Sequence, residues 1–230
     1  MRLSSKINNK VVNIFLISIL IGLLTLGLYF SIKINPHSFS WIISTAVNLS
    51  LAIFVYLKNK KNIINITFAI LTTSCALWSF AVFGLYIINS EIAAFHWSKI
   101  AFLSMFFIPP AFLHFVFALT KSITKVNKKL LYISYGIALI FLTLNLNGVF
   151  VTEFIKVKVK YAPKMTILYQ LWILNFVFWM GYGLFVLLIK YRTTKDILER
   201  NQVRYLFIAF IIAFIFSFTN ALLTFGINFY

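Results

Sequence analysis

An all-α fold, a polytopic transmembrane helix bundle of seven spans joined by short loops, is what this sequence predicts. Three observations predict it. Of the 230 residues, 62% are hydrophobic and only 11% are charged, whereas about a quarter of a water-soluble domain is charged. The apolar residues gather into seven runs near the length of about 20 residues that a helix needs to cross hydrocarbon. The charges are lopsided, 21 Lys and Arg against 4 Asp and Glu, and they fall between the runs, where they set orientation and meet anionic headgroups.

The runs are Val11–Ile32, Trp41–Leu57, Ile63–Ile88, Ile100–Thr120, Leu130–Leu146, Ile167–Ile189 and Val203–Phe225. The second and fifth are near the short end of the spanning range. None shows the weak alternation of an outer-membrane barrel, so helices are the remaining way to satisfy backbone groups in lipid. The first run follows a basic segment, MRLSSKINNK. It is longer than a usual signal-peptide core and lacks a small-residue cleavage site, so it reads as a retained helix.

Loop charge gives the direction. The side holding the N-terminus collects Arg2, Lys6, Lys10, Lys58, Lys60, Lys61, Lys121, Lys125, Lys128, Lys129, Lys190, Arg192, Lys195, Arg200 and Arg204. The other side holds Lys33, Lys99, Lys156, Lys158, Lys160 and Lys164. The N-terminus is therefore expected in the cytoplasm and Tyr230 outside. The fifth loop, FIKVKVKYAP, alternates apolar residues with Lys at period two. That is a strand pattern, read as an extracytoplasmic β-hairpin over the bundle mouth or as a plain solvated basic loop. In the sixth loop Thr193 is expected as a helix N-cap, with Asp196 at capping-box spacing and Asp196 four residues before Arg200 on one face. A helix from here into the last span would be a lever between membrane and cytoplasm; an ordinary juxtamembrane turn is the alternative.

The middle of every span lacks Asp, Glu, Lys and Arg, the groups that ion-coupled transporters, pumps and voltage sensors carry at depth. The three histidines, His37, His96 and His114, make no metal-ligand spacing, and neither a catalytic set nor a phosphate-binding glycine loop is visible. No cofactor is expected. Cys75 lies alone inside a span and reads as a small hydrophobe. Nucleic-acid binding is not expected, because no basic, aromatic-interleaved soluble segment exists to carry it.

What remains at depth is neutral polarity in stripes: Thr45 and Asn48; Trp172, Asn175 and Trp179; and Ser217, Asn220 and Thr224. Each set shares a helix face. Such groups either hydrogen-bond between helices or line a ligand cavity. In the fourth span Pro109 and Pro110 delete two amides and free the carbonyls of Met105 and Phe106, which Ser104, water or a neighbouring helix would meet. His114 follows one turn later on the same face. The pair reads either as a hinge with a polar contact beside it or as a static bend with His114 held by Asn175 or Asn220.

Several motifs occur in a recognisable order: LKNKKN, ALWSF, WSKIAFLSMFFIPPAFLHFVFALT, ERNQVRYL and TNALLTFGINFY. With them the chain from Trp41 onward resembles the N-terminal seven-transmembrane-helix region of bacterial sensor histidine kinases. The resemblance divides the chain into residues 1–40, a cytoplasmic tail with an extra transmembrane helix, and 41–230, a sensor-like region holding six of the family helices. Relative to that family the sequence stops at Tyr230 ahead of the last helix and lacks the kinase. The resemblance implies a sensory, signal-input module of a two-component-type system in the bacterial inner (cytoplasmic) membrane, without its own catalytic output. Its partners would be the lipid bilayer, a second copy of itself and a separate kinase or other output protein. Pro109, Pro110, His114, Asn175 and Asn220 are the candidates for hinge and sensing; Asp196, Arg200 and Arg204 are those for cytoplasmic coupling. The alternative is a small-molecule transporter or permease component, which would want a second broken helix equivalent to the Pro-Pro one. An intramembrane enzyme lacks any catalytic constellation.

Overall fold

In the computed structural model, residues 38–151, 161 and 166–217 are described in full, and 154–157, 160, 162–163 and 218–224 by backbone alone. Scattered helical positions between 14 and 33 are also described, but Val11–Ile32 as a continuous span lies outside the described residues. From Ser38 on, six helices follow one another among the described residues: α1 Ser38–Lys58, α2 Ile63–Ile87, α3 Glu91–Thr120, α4 Lys125–Leu146, α5 Ile167–Thr193 and α6 Ile197–Thr224. Two four-residue strands, β1 Phe154–Val157 and β2 Lys160–Pro163, pair antiparallel between α4 and α5, with Phe154 opposite Pro163 and Val157 opposite Lys160. Among the described residues, six helices are long and apolar enough to cross a membrane.

Side chains mark the helix starts. Asn62 Oδ1 accepts the Ile64 amide, Thr124 Oγ1 that of Asn127, Thr166 Oγ1 that of Tyr169 and Asp196 Oδ1 that of Leu198. Each satisfies one of the amides that a first turn leaves without a partner. Two ends close by Schellman turns. After α3, Lys121 takes φ 54° while the Ser122 amide reaches the Phe117 carbonyl; after α4, Gly148 takes φ 75° while Val149 reaches Leu144. Glycine suits that left-handed position and lysine does not.

The expected boundary of the fourth span needs correction. Its helix begins at Glu91, not at Ile100. Its 30 residues make about 45 Å at 1.5 Å per residue, more than the roughly 30 Å of hydrocarbon. Glu91, His96 and Lys99 lie in the first three turns of this helix.

The chain divides into two compact units, 1–104 and 105–230. In the first, α1 packs along α2. Ser44 and Ser79 share a 3.0 Å hydrogen bond, Asn65 Nδ2 donates to the Val55 carbonyl, and the Trp41 and Trp78 rings meet edge to face. A Cβ on Gly84 would stand 2.4 Å from the Trp97 ring, so this glycine permits α2 and the start of α3 to approach. In the second unit the 105–120 part of α3 is central. Phe106 touches Phe141 of α4 and Trp172 of α5, and Phe112 meets Phe210 of α6. Gly183 repeats the close approach, with its Cβ position 2.4 Å from Phe112 Cε1. Because lipid tails are as apolar as the helices, such steric fit stabilises the contact more than any expulsion of water. Ile208, Ile212, Ile215 and Phe216 of α6 remain exposed, the surface a lipid-facing helix presents.

Candidate functional site

The candidates gather in the second unit. Pro109 and Pro110 are both buried, and α3 is helical through them. Ser104 turns its hydroxyl back to the Ile100 and Ala101 carbonyls, away from the carbonyls the prolines free. One turn on, His114 is half-buried. Its Nδ1 lies 3.4 Å from Tyr135 Oη of α4, not against Asn175. The Asn175 oxygen instead accepts the Trp179 indole N–H at 2.8 Å, one turn along α5. Trp179 and Tyr135 pack on the same cluster, Leu113, Phe117 and Leu131. His114 and Asn175 therefore flank one apolar knot through intermediaries. The Asn220 side chain lies outside the described residues.

Three members of the polar stripes bond within their own helices. Thr45 donates to Trp41, Asn48 to Ser44 and Ser217 to Phe214, each through a carbonyl of its own helix. A hydroxyl three or four residues beyond a carbonyl reaches it without help from a neighbour. In the second unit two bonds between helices run through tyrosines: His114 to Tyr135, and Tyr182 Oη to Asn127 Oδ1 at 3.3 Å. Tyrosine's length lets the hydroxyl cross a helix interface while the ring stays in it. Neither tyrosine stood out in sequence, because no spacing distinguishes a bridging tyrosine from a packing one.

A second constellation sits at the end of α5 nearest the hairpin. Phe106, Phe150, Tyr169 and Trp172 form a closed circuit of rings, with centroid separations of 5.0, 6.2, 5.9 and 6.3 Å in that order. Phe141 touches both Phe106 and Phe150. Phe150 comes from the α4–β1 loop, and its carbonyl accepts the Thr166 hydroxyl at 3.2 Å. Trp172 leads on to Phe176 at 5.2 Å and from there to Phe214 of α6 at 5.9 Å. The indole N–H of Trp172 is enclosed and meets no acceptor among the described residues. Leaving such a donor unmet costs about 1–3 kcal/mol.

At the opposite end of α5, Asp196 and not Thr193 caps α6; the Thr193 hydroxyl bonds back to Ile189. Glu199 pairs with Lys190 at 3.0 Å and so ties the end of α5 to the first turn of α6. Arg200 and Arg204 are exposed along that start, the Arg204 guanidinium resting 5.3 Å from the Tyr205 ring. No ion pair joins Asp196 to Arg200 among the described residues; Glu199, one residue before Arg200, holds the pairing. Also among the described residues, no three His, Cys, Asp or Glu side chains come together.

Several long apolar helices, with polar caps and cations at their ends, define a multi-pass membrane protein. Within that class the assignment is specific: residues 40–230 match the family described as the N-terminal 7TM region of histidine kinase, and the chain belongs to it. That region is a membrane sensory part of such kinases and carries no catalytic motif. No curated protein and no solved structure matches the chain.

Proposed function

We propose that this chain is the signal-input region of a two-component-type system, passing a stimulus from the hairpin end of its second unit to the basic start of α6. The family match over 40–230 carries the reading. The route has support in the packing. The ring circuit leads through Phe176 to α6, β2 lies against α6, and the Lys190–Glu199 pair ties the far end of α5 to the same helix. The buried Pro109-Pro110 pair and the His114–Tyr135 bond lie between these ends, where a change in the tilt of α3 would be felt by α4 and α5.

In this reading the protein resides in the cytoplasmic membrane with its N-terminus inside, the hairpin outside and Val11–Ile32 as a seventh span ahead of the matched region. The charge asymmetry supports this orientation. It acts as a homodimer and works through a kinase or other output protein. The test is made in native cells by quantifying phosphorylated response regulators with the gene intact, deleted, and restored as the double variant Pro109→Ala/Pro110→Ala. Deletion should abolish the response of at least one regulator, and the variant should shift its set point. Unchanged regulator phosphorylation together with loss of uptake of a solute would replace this reading with the permease one.

A further inference from the structure

We infer that the ring circuit around Trp172 is a binding site for a neutral, lipid-soluble molecule bearing a single hydrogen-bond acceptor, such as a carbonyl or ether oxygen. The inference rests on the sensory reading and names the chemical class of its stimulus. Trp172 is 5% exposed, and its indole N–H, a donor only, meets no acceptor among the described residues. Seven positions along the same helix, Trp179 is equally buried and its N–H is met by Asn175 at 2.8 Å. One indole is thus satisfied internally and the other is left able to donate.

The walls say what kind of acceptor fits. Phe106, Phe150 and Tyr169 offer ring surface and no charge. An ionised ligand would lose its water there without gaining a counter-charge, whereas a neutral oxygen on an apolar body loses little. One wall is also separable from the helices. Phe150 follows Gly148, the left-handed closing residue of α4, and stands in the loop before β1. The Thr166 hydroxyl holds only the backbone carbonyl of Phe150, so its ring can turn aside without breaking a helical turn. A ligand oxygen at Trp172 would therefore move Phe150, Tyr169 and Phe176, the rings that lead to Phe214 on α6.

The test uses the full chain in phosphatidylcholine nanodiscs, labelled with fluorotryptophan at its 5 Trp positions, with fluorine NMR as readout. The probes are methyl heptyl ketone and n-decane, which have the same number of heavy atoms but differ in the acceptor. The Trp172 resonance is identified by its loss in Trp172→Phe or, if that variant does not fold, by elimination with single Phe variants of the other four. The inference predicts a saturable shift of the Trp172 resonance with ketone, with Kd about tenfold lower than for decane, as one hydrogen bond to a buried donor provides. The Trp179 resonance should stay in place. Parallel, non-saturating shifts of all resonances, equal binding of decane, or no shift with either probe would each overturn it. The assay contains no kinase. Failure to bind therefore leaves the sensory role standing, and loss of regulator control in cells leaves the binding result standing.

Discussion

Gly183 is the position where a single methyl group should matter most. A Cβ there would lie 2.4 Å from Phe112 Cε1, so the ring must withdraw by about 1 Å to reach ordinary carbon–carbon separation. It has little room to do so: Phe112 is fully buried and its far side meets Phe210 of α6 at 4.7 Å. Overpacking of this kind costs about 1–3 kcal/mol, against a gain of about 1 kcal/mol from replacing glycine by alanine within a helix. Gly183→Ala should therefore lose about 1 kcal/mol net, read from equilibrium unfolding in mixed micelles with SDS as denaturant. Shrinking the obstacle should relieve it. In the double variant with Phe112→Leu, the two changes should cost less together than the sum of each alone, by about 1 kcal/mol of coupling. A Gly183→Ala protein at least as stable as the parent, or two strictly additive changes, would refute the claim that α3 and α5 meet through this pair.

Asp196→Ala should loosen the start of α6 by about 1 kcal/mol, seen as faster hydrogen exchange at the amides of 198–200, while Thr193→Ala leaves them unchanged. Lys121→Gly should stabilise the protein by about 1 kcal/mol in the same micelle titration, because glycine occupies φ 54° without the left-handed penalty. Tyr135→Phe removes the contact with His114 and should cost about 0.6 kcal/mol, the average for a hydrogen bond between membrane helices; a loss several times larger would mean the hydroxyl holds more than His114.

The spans were legible because lipid imposes length and hydropathy so strictly that runs such as Ile63–Ile88 and Ile167–Ile189 announce themselves. Their ends were less legible. Glu91–Lys99 continues the α3 helix through polar residues, and a hydropathy reading ends where polarity begins even when backbone hydrogen bonding does not. At the junction before α6, Thr193 and Asp196 were both competent caps by chemistry. The choice fell to Asp196 because Thr193 still belongs to α5 and bonds backward to Ile189. The His114 contact shows a deeper limit. Asn175 and Tyr135 were each able to meet it, and only the rotation of α4 and α5 about their axes decides which does. The ring circuit was invisible for the same reason, since 19% of the residues are aromatic and nothing in their spacing distinguishes Phe150 in its loop from a ring facing lipid.

In the proposed topology α5 crosses the bilayer with the hairpin at its outer end and the basic junction at its inner end. Single cysteines in a Cys75→Ser background, at exposed Val149 and exposed Lys195, can be labelled in intact cells with a membrane-impermeant maleimide. Position 149 should react from outside, and position 195 only after the membrane is opened. Labelling of both from the same side, or of 195 alone from outside, would contradict it.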